Sequence, residues 1–297
     1  MGVESNSIQS KSLAFTLSDR IRVYAAFGKL RLSSLVVFSA AISYLVAPGS
    51  FNLTAFLALI IGGFLVTAAS NGYNQLLERD LDKLMDRTRN RPLPQGKMAV
   101  VEGVVVASIF AVVGLFLLWY FLNPLSLVLG TLATFLYVVI YTPMKRIHPI
   151  AVLIGAFPGA IPPMLGYIAA TGEFGLIPGI LFAVQFVWQF PHFWAIAWRL
   201  HDDYQKAGFH LLPSWGGRNK ASAFQMMFYS ILLIPTSVLP FVFGITSWMS
   251  LVVCLPLSIL FALLGVKFYR SQQMDDAKRL MFASFIWLPL VQMSFLL

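Results

Sequence analysis

Long apolar runs alternate with loops of two kinds along this chain, and only one kind carries charge. A membrane-spanning helix needs about 20 mostly apolar residues. That ruler marks nine runs, at residues 32–47, 53–70, 99–121, 125–141, 150–170, 176–197, 221–243, 247–266 and 279–297. Ala47-Pro48-Gly49-Ser50, Asn123-Pro124 and Thr171-Gly172-Glu173 join the first three pairs as short, nearly uncharged turns. The N-terminal tail and the loops at 71–98, 142–149, 198–220 and 267–279 hold all 21 Lys and Arg. Cations confined to alternate loops mark the side of the membrane that stays inside. The expected fold is all-α: a polytopic bundle of nine transmembrane helices, with a cytoplasmic tail at 1–31 and one membrane domain at 32–297. The charged loops then face the cytoplasm, the C-terminus lies outside, and the inner (plasma) membrane is the expected location.

Composition agrees. Hydrophobic residues make up 58% of the chain and charged residues 11%, too few charges to solvate a soluble domain of this size. Orientation accounts for the net charge of +9, so no nucleic acid is called for. The single cysteine, Cys254, excludes an intramolecular disulfide framework and a CxxC metal site. Residues 1–31 are polar and mildly basic, and the run that follows is too long for a signal peptide. Glu4 and Asp19 are out of place in a mitochondrial transit peptide, so a surface-lying tail is expected.

Of the 12 Asp and Glu, only Glu102 and Glu173 lie outside the tail and charged loops. Orientation needs cations; it does not need carboxylates. The chemistry is therefore expected on the charged side. If the second apolar helix continues past residue 70, Asn74, Glu78 and Asp82 fall four residues apart and share one face. Three hard oxygen ligands in a stripe suit Mg²⁺, which completes its octahedron with water and phosphate. Arg87 and Arg91 follow at the same spacing, able to grip phosphate by forked hydrogen bonds, and Pro92 ends the helical stretch. The plain alternative is a solvated helix end with i, i+4 ion pairs. Carboxylates abutting an apolar span are costly without a compensating cation, which favours the site.

Asn74-x3-Glu78-x3-Asp82 with Arg87-Thr88-x2-Arg91-Pro92-Leu93 resembles the first aspartate-rich motif of the UbiA-type intramembrane prenyltransferases. Glu78 stands where that family has Asp. The resemblance implies a nine-helix bundle that binds Mg²⁺-bridged prenyl diphosphate at its cytoplasmic mouth. It also assigns Tyr141, Lys145 and Arg146 to the diphosphate and the reacting end. Asp202 and Asp203 stand in the region of the family's second acidic motif, as further expected metal ligands. Trp188-Gln-x-Pro-His192-Phe-Trp194 and Asp203-Tyr-x2-Ala-Gly208 resemble the haem-farnesylating branch of the family. That implies farnesyl transfer from farnesyl diphosphate to a vinyl group of haem B, with addition of water and release of diphosphate. Mg²⁺ is the implied cofactor, the bilayer the environment, and haem A synthase or oxidase assembly factors the candidate partners.

For His192 two readings stand open: a hydrogen bond to a carbonyl freed by the Pro191 kink, or contact with haem. His148, His201 and His210 sit in loops that could meet haem propionates or iron. The Gly/Pro-rich segment from Gly155 to Gly166 is expected to kink its helix and admit close neighbours. Two rival functions remain. A UbiA-type enzyme acting on an aromatic or quinone precursor would share the diphosphate site. A transporter would explain carboxylates at a membrane edge and broken helices, though no inverted repeat shows in the charge placement.

Overall fold

A computed structural model describes residues 17–297, so positions 1–16 of the expected tail lie outside the described residues. Every described element is helical: α1 (Leu17–Phe27), α2 (Leu30–Val46), α3 (Leu53–Asp82), α4 (Val100–Phe121), α5 (Pro124–Phe135), α6 (Thr142–Met144), α7 (Ala151–Thr171), α8 (Leu176–Arg199), α9 (His201–Lys206), α10 (Lys220–Val242), α11 (Trp248–Ser271) and α12 (Met274–Ser294). A π-helical turn, Leu136–Tyr141, joins α5 to α6. Local chemistry sets several starts. The Asn52, Asn123 and Asn219 side chains each accept a backbone N–H from the first turn of the helix that follows.

The expected count of nine spans is corrected. Among the described residues seven helices are long and apolar enough to cross a membrane, and α1 with α2, bent by 56°, makes an eighth. The ninth run does form α12, but Asp275, Asp276, Lys278 and Arg279 crowd its first turns and Gln292 lies near its end. Those groups leave it less apolar than its neighbours. The chain is a multi-pass membrane protein all the same.

Two apolar clusters fill the bundle. One gathers Tyr44, Leu59, Leu118, Ile161 and Ile168 from α2, α3, α4 and α7. The other gathers Trp188, Trp198, Phe261, Phe268 and Trp287 from α8, α11 and α12. α4 turns Val101, Val112 and Tyr120 outward, each about two-thirds exposed or more, as a lipid-facing helix should. Lipid offers no hydrophobic drive between helices, so close backbone packing matters more. At Gly166 a Cβ would sit 2.0 Å from the Ala40 carbonyl oxygen, so α7 and α2 meet only because that residue is glycine.

α3 explains why the carboxylates are where they are. Its 30 residues rise about 45 Å, against a hydrocarbon thickness of about 30 Å. The surplus, about ten residues at its charged end, is the segment that carries the oxygen stripe. Beyond it, Met85 packs with Ala207 and Phe209 and folds the loop after α3 onto the one after α9. α1 is held by Arg20 Nη1, 3.0 Å from Glu102, and by the Tyr24 hydroxyl, 2.8 Å from the same carboxylate. Glu102, expected apart from the tail and charged loops, therefore belongs to their side.

Candidate active site

α3 runs unbroken to Asp82, so Asn74, Glu78 and Asp82 do share a face; all three are buried in protein yet line one cavity of about 480 Å³. Each is held by a residue remote in sequence. Asn74 Nδ2 donates to Thr142 Oγ1 at 3.1 Å, and that hydroxyl donates in turn to the Tyr137 carbonyl across the π turn at 2.8 Å. The amide orientation is thereby fixed, leaving Asn74 Oδ1 as the atom with no partner. Lys145 Nζ donates to Glu78 Oε1 at 2.7 Å. Arg91 Nη1 reaches both Asp82 oxygens at 2.8 and 2.7 Å.

The cavity wall carries four cations, Lys29, Arg87, Arg91 and Lys145, against two carboxylates, Glu78 and Asp82. A surplus of positive charge in a partly apolar cleft attracts an anion strongly. The donor set also fits a magnesium ion: one free amide oxygen and two carboxylates, all hard, with room for water and phosphate on the open side. Among the described residues no three His, Cys, Asp or Glu side chains gather into a closed metal cage. Mg²⁺ rarely asks for one.

Tyr141 lines the cavity with its ring 4.7 Å from Lys145 Nζ, a cation–π contact that steers the ammonium group toward Glu78. Arg87 lies over the Tyr204 ring at 5.5 Å. The expected companions part ways from here. Arg146 is exposed and is not part of the wall, since the chain turns between it and Lys145. Asp202 also points away: its side chain is 80% exposed and accepts from Arg218 Nη1 at 3.1 and 3.0 Å.

Asp203 takes a different task. Its two oxygens accept the backbone N–H groups of Asp86 at 2.8 Å and Arg87 at 3.2 Å, and Lys206 lies beside it at 3.3 Å. Burial pushes its carboxyl up, but those two N–H donors and Lys206 outweigh burial and hold it below the ordinary carboxylate range. Neither acid of that pair lines the cavity. The expectation of Asp202 and Asp203 as metal ligands is corrected: one is a surface ion pair and the other latches the segment bearing Arg87.

His192 is buried and lines the cavity, stacked on Trp188 at 4.4 Å and 18°. Its Nδ1 meets the Ser284 hydroxyl at 2.7 Å rather than a carbonyl freed by Pro191. His148, His201 and His210 do not reach the wall; His148 and His210 pack on Trp215 at 5.1 and 5.0 Å. Lys29 and Phe209 are part of the wall without any motif marking them, and Gln189 and Tyr204, present in the sequence motifs but assigned no role, line it too. Lys29 comes inward because it adopts a left-handed conformation, φ 48°, at the bend between α1 and α2. No local pattern announces such a bend. Gln189 was legible as a polar residue in an apolar helix.

Residues 35–288 match the family model described as the UbiA prenyltransferase family. A protein named Protoheme IX farnesyltransferase from Cytophaga hutchinsonii is 43% identical, over 95% of this chain and 99% of that one. A second of that name, from Christiangramia forsetii, is 44% identical over 99% and 97%. The human protein named Protoheme IX farnesyltransferase, mitochondrial, is 34% identical over 95% of this chain and 63% of its own. Among solved structures, a UbiA homolog from Archaeoglobus fulgidus bound to DMAPP and Mg²⁺ superposes with TM-score 0.70 at 16% identity, covering 92% and 98%. At that identity the likeness speaks for the fold.

Proposed function

This chain belongs to the UbiA prenyltransferase family, and from that premise we propose how its cavity works. The enzyme transfers the farnesyl group of farnesyl diphosphate to a vinyl group of haem B, with addition of water, giving haem O and releasing diphosphate. The observation that carries this reading is a single cavity with an oxygen stripe and surplus cations, in a chain that matches protoheme IX farnesyltransferases nearly end to end.

Arg87, Arg91, Lys29 and Lys145 bind the diphosphate, and their fixed charge favours its departure over its retention. Asn74 Oδ1, Glu78 and Asp82 would hold Mg²⁺, which would neutralise phosphate charge and make diphosphate a better leaving group. Asp203 keeps the Asp86–Arg87 backbone in place, so that Arg87 stays at the wall. An adjoining apolar recess of about 50 Å³ shares Val36, Val66, Thr67, Ala133 and Pro162 with the cavity. Part of the farnesyl chain lies there, where the one hydroxyl, Thr67 Oγ1, is already spent on the Gly63 carbonyl at 2.8 Å. Tyr141 offers a ring face to the allylic centre and His192 lies against the haem. The bundle keeps bulk water from the allylic cation until the acceptor has reacted.

The mouth faces the cytoplasm of a cell's inner membrane, by the placement of all 21 cations. The C-terminus is at the far end, where the Ser247 hydroxyl donates to the Leu297 carbonyl at 2.9 Å. The product leaves within the membrane, with a haem A synthase or an oxidase assembly factor as its candidate recipient. The test is to supply membranes containing the protein with haem B, labelled farnesyl diphosphate and Mg²⁺, and to weigh the haem product. Label on hydroxyethylfarnesyl haem is expected; label on a quinone precursor, or none on haem, would overturn the reading.

A further inference from the structure

Gln189 and His192 stand one turn apart on α8, both line the cavity, and each keeps one acceptor atom that no donor among the described residues engages. A count of protons establishes this. Ser284 has one hydroxyl proton and donates it to the Met281 carbonyl at 2.5 Å, since a carbonyl can only accept. Its oxygen must then accept from His192 Nδ1 at 2.7 Å. The imidazole proton therefore sits on Nδ1, and Nε2 carries a free lone pair.

Gln189 is fixed in the same manner. Its Nε2 donates to the Ala156 carbonyl at 2.9 Å and the Gln185 carbonyl at 3.3 Å, so Oε1 is the free end of the amide. That oxygen lies over Gly159, where a Cβ would come within 2.0 Å of it. Neither His192 Nε2 nor Gln189 Oε1 is among the sealed, unpartnered polar atoms of the described residues, which are Gln75 Oε1, Trp194 Nε1 and Thr246 Oγ1. Both atoms keep some accessible surface, on residues that line the cavity.

Two acceptors with no donor repel a diphosphate and suit a molecule that offers two hydrogens. Residues three apart on a helix are neighbours on one face, and a single water can serve two acceptors on such neighbours. A water held by both its hydrogens turns its oxygen lone pairs to the cavity centre. The depth is suitable. His192 lies about 10 Å inward from Arg199 along α8, and Asn74 about 12 Å inward from Asp82 along α3. Asn74, Gln189 and His192 line the same cavity.

We propose that Gln189 and His192 hold, and His192 deprotonates, the water consumed in the reaction; this rests on the haem-farnesylation reading above. The C1–O bond of farnesyl diphosphate breaks and its electron pair leaves with diphosphate. The vinyl π pair forms the bond from the terminal vinyl carbon to farnesyl C1, leaving positive charge on the carbon joined to the porphyrin. The water oxygen bonds to that carbon. One of its protons passes to His192 Nε2, and the other stays on the new hydroxyl, donated to Gln189 Oε1. The Trp188 face, 4.4 Å from the imidazole centroid, stabilises the cation so formed. Ser284 is a positioning residue, acting through the tautomer it imposes.

The test reads the product as well as the rate. Membranes bearing wild type, His192→Ala, Gln189→Leu or Ser284→Ala are given haem B, farnesyl diphosphate and Mg²⁺ in heavy-oxygen water. Wild type is expected to place one heavy oxygen in the product. His192→Ala is expected to cut hydrated product at least about 100-fold and to leave farnesylated haem lighter by one water, with farnesyl diphosphate affinity unchanged. Ser284→Ala is expected to lower hydration about fivefold. An unchanged hydrated fraction in both His192→Ala and Gln189→Leu would overturn the proposal, as would a change in haem absorbance showing that the imidazole ligates iron. If His192→Ala yields no farnesylated haem, Gln189→Leu decides, and purely hydrated product from it would refute the assignment. Wild type failing to farnesylate haem would instead refute the underlying reaction, and the proposal with it.

Discussion

Lys145→Met removes the cation from Glu78 while keeping a side chain of similar volume. The pair is 2.7 Å apart, with the Lys145 and Glu78 side chains only 9% and 5% exposed, so solvent screens little of the interaction. Breaking a buried pair by deleting one partner costs about 3–5 kcal/mol, because the remaining charge stays buried and unpaired. For a chain of this size that is a fall in melting temperature of roughly 6–10 °C. Removing both charges, as in Glu78→Gln with Lys145→Met, is expected to restore most of the loss, since the desolvation cost of the ions goes with them. Thermal unfolding of the purified, metal-free protein in detergent gives both values, and the double-mutant cycle isolates the coupling. A loss below about 1 kcal/mol for Lys145→Met, or an equal loss in the double variant, would refute the view of Glu78 and Lys145 as a buried pair. Both variants are expected to lose farnesyl transfer, because each takes a ligand from the diphosphate site.

Asp82→Ala leaves Arg91 without the carboxylate it clasps at 2.8 and 2.7 Å; transfer is expected to vanish while the protein stays in the membrane. Full activity with Mg²⁺ chelated would refute the metal assignment at Asn74, Glu78 and Asp82. Asp203→Ala frees the Asp86 and Arg87 amides, at a local cost of about 2 kcal/mol, so their hydrogen exchange is expected to quicken roughly 30-fold. The same latch is sensitive to acid. With its folded pKa depressed, Asp203 stabilises the loop fully above its unfolded value of about 3.9 and loses that contribution as pH falls through the lower folded value. Protection of those two amides, relative to their intrinsic exchange rate, that does not fall as pH drops below about 4 would contradict the latch. Gly166→Val pushes α7 off the Ala40 carbonyl and is expected to cost about 3 kcal/mol or prevent folding, read as lost yield of monodisperse protein; an unchanged melting temperature would mean the two helices are not in contact.

The sequence by itself determined the helices, the side on which the cations gather and the register of the oxygen stripe. Each depends on local quantities: length of apolar run, placement of Lys and Arg, and a turn of about 100° per residue. It also singled out Lys145 and His192 by residue type. It could not tell Lys145 from Arg146, or Asp202 from Asp203, because neighbouring residues on a turn face different ways and the partners are remote. Glu78 finds Lys145 across 67 positions, and His192 finds Ser284 across 92. Asp203 turns to the Asp86 and Arg87 amides while Asp202 turns to Arg218, a choice made by how the loops after α3 and α9 pack. Lys29 enters the wall only through the bend between α1 and α2. The ninth helix lies in the bundle although its composition falls short of a span on its own, because its buried Ser284 and Gln292 bond to His192 and to Ser39 and Gln185. Periodicity fixes which residues share a face; only packing against distant helices decides what that face meets.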